Sequence, residues 1–134
     1  MGSIVVGYVP KAEGRAALRR AAEEARLRNL RLVVVNSHRG GREFGREDAI
    51  ESETQLEEVR NELDKAGVEH EVRQLVRGLD PAEDLLGVAD ELDAELIVIG
   101  LRRRSPVGKL ILGSNAQRVL LDAACPVLAV KAVD

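Results

Sequence analysis

The alternation of apolar and polar positions along the chain marks out five short strands. Three segments are rich in β-branched residues and almost continuously apolar: Ser3–Val9, Leu30–Ser37 and Ala94–Gly100. Such runs are typical of strands covered on both faces, as in a parallel sheet. The segment Gly67–Val76 alternates with charged residues, a pattern that an edge strand tolerates. The fifth segment, Pro126–Val133, is apolar and contains a single charge.

Helical patterns separate these strands. Gly14–Asn29 is rich in good helix formers and carries a narrow face of alanine and leucine, which would let the helix lie close to a sheet. Glu47–Lys65 has one apolar stripe with charges elsewhere, and Gly67 is a natural stop after it. The pattern therefore predicts two amphipathic helices in the first half of the chain.

Two further helices are predicted in the second half. One begins with Asp80 as the N-cap and Pro81 at the first helical position. The other runs from Ser114 to about residue 124, and Pro126 ends it. On that last helix we expect the inward-facing residues to be Val119, Leu120 and Ala123.

The order β-α-β-α-β-α-β-α-β indicates an α/β fold, and we predict a single doubly wound domain over residues 1–134. The polar strand Gly67–Val76 belongs at an edge, which favours a five-stranded parallel sheet of order 3-2-1-4-5 with helices on both faces. Sheets of this kind bind ligands where the strand order reverses, here between strands 1 and 4. Val9-Pro10, Asn36-Ser37 and the loop after Gly100 are expected to converge at that point.

The loop "GLRRRSPVGKLILGS", Gly100 to Ser114, has the chemistry of an anion site. Gly100 lets another group approach the backbone closely, and Gly113 permits the turn into the last helix. Ser114 and Asn115 offer a hydroxyl and N–H groups at the positive end of that helix, and Arg103 can supply counter-charge. The spacing is not that of a Walker A loop. The alternative is a structural turn whose arginines are simply solvated.

At this point the sequence resembles the universal stress protein family. The likeness covers "IVVGYVPKAEGRAALRRAAEEARLRNLRLVVVN" and "DAELIVIGLRRRSPVGKLILGSNAQRVLLDAACPVLAVK". Nucleotide-binding members resemble G-x2-G-x9-G-[ST] in this loop, and Gly100, Gly113 and Ser114 match, whereas Arg103 replaces the second glycine. Val9 stands where ATP-binding members usually have an aspartate after strand 1. The resemblance implies ATP as the ligand, with or without Mg²⁺, frequent dimerisation, and a regulatory or stress-survival role.

Composition excludes several classes of function. The net charge of −3 and the presence of only two aromatic residues, Tyr8 and Phe44, argue against a nucleic-acid partner. No apolar run is long enough to span a bilayer, and the start of the chain does not read as a signal peptide, so we expect a cytoplasmic protein without a membrane partner. The single cysteine, Cys125, rules out an internal disulfide, and we interpret it as a buried structural residue.

No enzyme or metal signature is visible. There is no Ser-His-Asp set or nucleophile elbow, and the two histidines match no metal-ligand spacing. His38, in the long irregular stretch Asn36–Glu47, is expected to be a solvated loop residue, and the stretch itself to be either functional or disordered. We therefore predict a protein without a catalytic role, and slow hydrolysis of a bound ATP stays open.

Two functional hypotheses remain. The first is a regulatory module that binds ATP or a related phosphate-bearing ligand at residues 100–115. The second is a nucleotide-independent dimeric interaction protein of the same fold. Either way we expect a homodimer through strand 126–133, because its apolar edge is protected only by Lys131 and natural proteins normally protect such an edge.

Overall fold

The computed structural model describes residues 2–38, 46–76, 79–102 and 112–132, without the side chain of Asp48. The predicted Arg103 site and most of the stretch 36–47 lie outside these residues, as does the end of the last predicted strand. Strands and helices alternate in the described part of the chain. In order they are β1 (Ser3–Gly7), α1 (Ala12–Arg28), β2 (Arg31–His38), α2 (Arg46–Lys65), β3 (His70–Val76), α3 (Pro81–Leu92), β4 (Leu96–Leu101), α4 (Ser114–Asp122) and β5 (Val127–Lys131).

The five strands form one parallel sheet of order β3-β2-β1-β4-β5, which confirms the predicted order and fold class. β1 lies at the centre, and Val5 is paired with Val33 of β2 and with Ile97 of β4. From β1 the chain continues to β2 and β3 on one side of β1, and it then crosses to β4 and β5 on the other side. The strand order therefore reverses beside β1, as the sequence predicts.

Helices on both faces explain why the central strands are apolar at consecutive positions. Ile4 and Val6 pack in a cluster with residues of α1 and α2, and Val5 packs on the opposite face in a cluster with residues of α3 and α4. All three side chains are fully buried. A strand with one solvated face would need polar residues at every second position, and in β1 only the first residue, Ser3, is polar.

Left-handed backbone ends three of the helices. α1 ends at Asn29 (φ 55°) and α3 at Asp93 (φ 51°), and in each case the cap N–H returns to carbonyls of the last turn. Gly67 follows α2 with φ 71°, a conformation that glycine adopts without a Cβ penalty. The predicted stop at Gly67 is thus confirmed.

Several element boundaries differ from the expectation, and so does one side-chain orientation. β1 ends at Gly7, because Tyr8 and Val9 leave the sheet to enter the turn at Pro10. β3 begins at His70 instead of Gly67. On α4, Val119 is buried, but Leu120 is 40% exposed, so the prediction of an inward Leu120 is wrong. α4 has only 9 residues, and only one narrow stripe of its side chains packs against the sheet.

No helix in the described ranges is long and apolar enough to cross a membrane.

Candidate functional site

A cavity of about 390 Å³ opens at the carboxyl edge of the sheet, above β1 and its two neighbours. Strand ends and the residues after them form one part of the lining, including Tyr8, Val9, Val35, Ser37, Gly100 and Arg102. The first turns of three helices form the rest, including Lys11, Gly14, Pro81, Ala82, Ser114 and Asn115. The cavity thus lies at the predicted point of strand reversal, and residues from all three predicted segments line it, the third segment through its described ends at residues 100–102 and 113–114.

The amino end of α4 presents N–H groups to this cavity. Gln117 N–H donates to the Gly113 carbonyl at 3.0 Å, as the first hydrogen bond of the helix. The N–H groups of Ser114, Asn115 and Ala116 precede that bond and therefore have no acceptor within the helix. All three residues line the cavity. An anion placed here would meet backbone donors and the positive end of the helix dipole.

Gly113 is the residue before α4, and its lack of a side chain affects the N–H groups at the amino end of that helix. Its backbone (φ −75°, ψ 167°) is one that any residue adopts, so the turn into α4 does not depend on the conformational freedom of glycine. Position 113 is the N-cap of α4, where a serine or aspartate side chain would ordinarily accept a bond from the first-turn N–H groups. With glycine there, no N-cap side chain competes with a ligand for these donors.

The side chain of Asn115 is used differently from its backbone. Its Oδ1 accepts a hydrogen bond from Ala82 N–H at 3.3 Å, so it links the first turns of α4 and α3. A second link is formed by Arg118, whose guanidinium donates to Glu83 at 2.9 Å. These contacts hold the amino ends of the two helices side by side at the cavity.

Two glycines allow α1 to come unusually close to the sheet edge. A Cβ atom at Gly100 would lie 2.0 Å from the carbonyl oxygen of Glu13, and a Cβ atom at Gly14 would lie 1.8 Å from that of Val9. Both clashes involve backbone, which cannot rotate away. Gly100 was expected to admit a close neighbour, and the neighbour in the structure is the first turn of α1. Gly14 was not singled out, because its partner Val9 becomes close only when the turn at Pro10 forms.

The turn between β1 and α1 is fixed by hydrogen bonds on both sides. Lys11 N–H donates to the Val9 carbonyl at 2.8 Å across Pro10, and Tyr8 N–H donates to the Val35 carbonyl at 2.9 Å. Asn36 Nδ2 donates to the Tyr8 carbonyl at 3.1 Å. Val9 is thereby held at the cavity with 38% of its surface exposed. No carboxylate occupies its position.

Asn36 belongs to a buried polar cluster on the sheet face covered by α2. Its Oδ1 lies 2.5 Å from His38 Nε2 and accepts from Ser52 Oγ at 3.3 Å. Gln74 Nε2 donates to Ser52 Oγ at 2.8 Å. The expectation of a solvated loop histidine is wrong, because β2 extends through His38 and places its ring among these partners. The cluster supports the Tyr8 carbonyl from beneath the turn.

On the other face of β2, Ser37 reaches α3. Ser37 Oγ donates a hydrogen bond to Asp84 Oδ2. Asp84 is fully buried in the first turn of α3. Ser37 itself lines the cavity. The sequence indicated that Ser37 would be near the site, but it contained no signal for the pairing with Asp84.

The charged side chains at the cavity are of both signs. Lys11 and Arg102 are exposed and line it, and Glu13, in the first turn of α1, lines it as well. Among the residues that the structure describes, no group of three His, Cys, Asp or Glu side chains is arranged to hold a metal ion. The cavity thus offers backbone N–H groups and cationic side chains beside the carboxylate of Glu13.

Of the predicted site residues, Gly100, Gly113, Ser114 and Asn115 all line this one cavity. Arg103 lies outside the described residues. Cys125 does not line this cavity; it is partly buried and lines a smaller pocket together with Asp90 and Asp93. Burial raises the pKa of the Cys125 thiol, and the two carboxylates raise it further. Such a thiol is protonated near neutral pH, in keeping with a structural residue.

Comparisons with known proteins agree with this geometry. The model of the universal stress protein family matches residues 1–131. A protein named "Universal stress protein" from Mycolicibacterium smegmatis is 48% identical over 128 residues, which cover 96% of each chain. The structure of a universal stress protein from Archaeoglobus fulgidus superimposes with a TM-score of 0.84 at 46% identity, over 98% of this chain and 99% of the other. Another structure, of the Archaeoglobus fulgidus universal stress protein in complex with dAMP, has a TM-score of 0.79 and 40% identity, with 98% of each chain covered.

The fold, the cavity at the point of strand reversal and these similarities lead to one conclusion, which the resemblance seen in the sequence had indicated. The chain belongs to the universal stress protein family.

Proposed function

We propose that this protein is a regulatory module that binds an adenine nucleotide, ATP or a related phosphate-bearing ligand, in the cavity between β1 and β4. The observation that carries the proposal is the meeting of three helix amino ends at one cavity of about 390 Å³. That volume lies within the usual range for small-molecule sites. The dAMP bound to the Archaeoglobus fulgidus relative supports the choice of nucleotide.

In this proposal the phosphates lie at the amino end of α4. The N–H groups of Ser114 and Asn115 donate to phosphate oxygens, the Ser114 hydroxyl adds a further donor, and Gly113 leaves the approach open. Arg102 and Arg103 supply positive charge from the strand end, and an arginine can bind phosphate oxygens with two parallel N–H groups.

A Mg²⁺ ion would accompany ATP in this proposal without a protein cage of its own. Mg²⁺ in nucleotide sites is commonly held by phosphate oxygens and water with few protein ligands. The described residues offer no cluster of carboxylates that would replace those ligands. The proposed role is binding and signalling in the cytoplasm, without catalysis.

One observation favours the alternative, a dimeric interaction protein that does not use a nucleotide. Val9 lines the cavity with an apolar side chain at the position where the resemblance implies an aspartate. An aliphatic group cannot accept a hydrogen bond from a ribose hydroxyl. The alternative keeps the fold and assigns function to the outer surface of the protein.

We include a homodimer through strand 126–133 in the proposal. β5 is an edge strand that pairs only with β4 in the described sheet, and Val127, Leu128 and Val130 are only partly buried. Leu121, on the neighbouring α4, is 83% exposed. Pairing of β5 with its own copy would cover these apolar groups and satisfy the unpaired strand edge.

Nucleotide binding is tested by native mass spectrometry of the freshly purified protein and by calorimetric titration with ATP, AMP and inorganic phosphate. We expect ATP and AMP to bind at millimolar concentration or below. The variant Ser114→Asp should lose binding, because the new carboxylate repels phosphate, while an acidic residue in the first turn still suits the helix. Thr54→Asp, which adds the same charge to an exposed position of α2, should bind as the wild type does.

Absence of binding by all three ligands would contradict the proposal and leave the nucleotide-independent alternative. Equal binding by Ser114→Asp and the wild type would move the phosphates away from α4.

A further inference from the structure

The Ser37 hydroxyl group lies at the cavity and donates its hydrogen to Asp84, which leaves its oxygen to accept a hydrogen bond from a ligand. We infer that Ser37 and Asp84 form a specificity-determining pair, in which Ser37 Oγ accepts a hydrogen bond from the amino group of a purine base and gives no hydrogen bond to an oxo group in its place. The inference rests on the proposed function, since it concerns the base of the nucleotide bound in the same cavity. It assigns specificity to a residue pair on β2 and α3.

The hydroxyl hydrogen of Ser37 is directed at Asp84. The Asp84 side chain has no solvent-exposed surface, and it lies in the first turn of α3, where the helix dipole favours a negative charge. In this hydrogen bond Ser37 Oγ is the donor and Asp84 Oδ2 is the acceptor. Turning this hydrogen towards a ligand would break the hydrogen bond to Asp84, so a ligand acceptor must compete with an acceptor that is already in place.

The register of β2 directs Ser37 to the cavity. Side chains alternate along a strand, so Ser37 shares a face with Val33 and Val35, which belong to the core cluster with α3. Asn36 and His38 point to the opposite face and contact Ser52 of α2. The Ser37 side chain is therefore on the side of the sheet where the cavity opens and where Asp84 lies.

A hydroxyl oxygen has two lone pairs in addition to its hydrogen. Because the Ser37 hydrogen bonds to Asp84, the group meets a ligand as an acceptor only. A ligand N–H group placed there gains a hydrogen bond, whereas a carbonyl oxygen faces lone pairs and gains none. Asp84 acts through Ser37 as a positioning residue and does not itself line the cavity.

The distance across the sheet assigns this contact to the base. With phosphates at α4, which follows β4, Ser37 lies two strands away, at the end of β2. Two strand spacings are about 10 Å, comparable with the length of a mononucleotide from its phosphate to the far edge of its base. The ribose would then lie above β1, next to Val9, and the base would reach Ser37.

The test compares AMP with IMP, which carries an oxo group where AMP carries the amino group. In calorimetric titrations we expect the wild type to bind AMP about tenfold more tightly than IMP. Ser37→Ala should reduce this ratio to nearly one. Asp84→Asn should also reduce it, with a gain in IMP affinity, because an amide that donates to Ser37 Oγ releases the hydroxyl hydrogen for the ligand.

Ser3→Ala is the matched control, since Ser3 is a buried serine at the opposite, amino end of β1. It should keep the AMP-to-IMP ratio of the wild type. If Asp84→Asn does not fold, the AMP-to-IMP affinity ratio of Ser37→Ala is sufficient to test the inference. Equal binding of AMP and IMP by the wild type, or an unchanged ratio in Ser37→Ala, would overturn this inference and leave the proposed function standing. Binding of neither nucleotide would overturn both.

Discussion

The carbonyl oxygen of Glu13, in the first turn of α1, lies so close to Gly100 that a Cβ atom at position 100 would stand 2.0 Å away. The carbonyl oxygen belongs to the backbone, and the backbone fixes the position of a Cβ atom, so no side-chain rotation can relieve the overlap. Glycine at the end of β4 therefore determines how near α1 comes to the sheet, and with it the shape of the cavity that both residues line.

We expect Gly100→Ala to lower the free energy of unfolding by about 2–3 kcal/mol, because the added methyl group forces α1 away from β4. Binding of AMP should weaken at the same time. Urea denaturation followed by circular dichroism measures the first effect, and calorimetry measures the second.

Gly87→Ala is the control for this substitution. Gly87 is an exposed residue within α3, and nothing lies within 4 Å of a Cβ atom built on it. Alanine should raise stability there by about 0.5–1 kcal/mol, since glycine costs conformational entropy in a helix. A Gly100→Ala variant as stable as the wild type would contradict the close contact.

A second stability prediction concerns Asn36, whose Nδ2 supports the Tyr8 carbonyl at the turn. Asn36→Ala should lower the free energy of unfolding by about 1–3 kcal/mol, because it leaves buried polar partners unsatisfied. Asn61→Ala, which removes the same amide from an exposed position of α2, should change it by less than about 0.5 kcal/mol. Similar losses in the two variants, measured by the same urea titration, would argue against a structural role for the Asn36 amide.

The strand order and the place of the site were predictable because they follow from patterns local to each element. Continuous apolar runs identified the covered strands, and the charges in β3 placed it at an edge. Once the order was known, the general behaviour of doubly wound sheets placed Val9, Ser37 and Gly100 together. The structure shows all three at one cavity.

Contacts between residues far apart in the sequence could not be predicted in this way. Ser37 and Asp84 are 47 residues apart, and only the packing of α3 against the end of β2 brings them together. The requirement for glycine at position 14 depends likewise on a carbonyl five residues earlier that turns back over α1. His38 was misassigned because the continuation of β2 depends on its pairing with Val76 of β3, a partner that the local pattern does not identify.

A third prediction concerns Val9. Val9→Asp should tighten binding of AMP about tenfold or more, because a carboxylate beside the nucleoside can accept hydrogen bonds from ribose hydroxyls. The same charge should weaken binding of inorganic phosphate. Val9→Leu keeps the side chain apolar and should leave both affinities close to those of the wild type. Calorimetric titration measures the affinities of each variant for AMP and for inorganic phosphate. A Val9→Asp variant with unchanged preference for AMP over phosphate would contradict the assignment of the ribose to this position.

The fourth prediction is the pH dependence of Cys125 reactivity. Burial, with help from Asp90 and Asp93, raises the pKa of this thiol above its ordinary value of 9.0. The reactive thiolate is therefore scarce at about pH 7, and the rate of modification by a thiol reagent should rise with a midpoint above that of a free cysteine. Because the raised pKa belongs to the folded state, ionisation of the thiol should also cost stability as the pH rises through it. A midpoint at or below the free-cysteine value, in the native protein, would contradict the effect of burial.

The fifth prediction concerns assembly through β5. Light scattering at micromolar concentration should give the mass of a dimer, since an edge strand with Val127, Leu128 and Val130 on its two sides gains apolar burial and strand hydrogen bonds by pairing with a second copy. Val130→Asp should shift the mass towards the monomer, because each pairing would bring two carboxylates into the interface and desolvate them. Val76→Asp places the same charge on β3, the opposite edge of the sheet, where Val76 is already 43% exposed, and it should leave the dimer intact. A monomeric wild type would refute the dimer, whereas loss of the dimer in Val76→Asp alone would place the interface at β3.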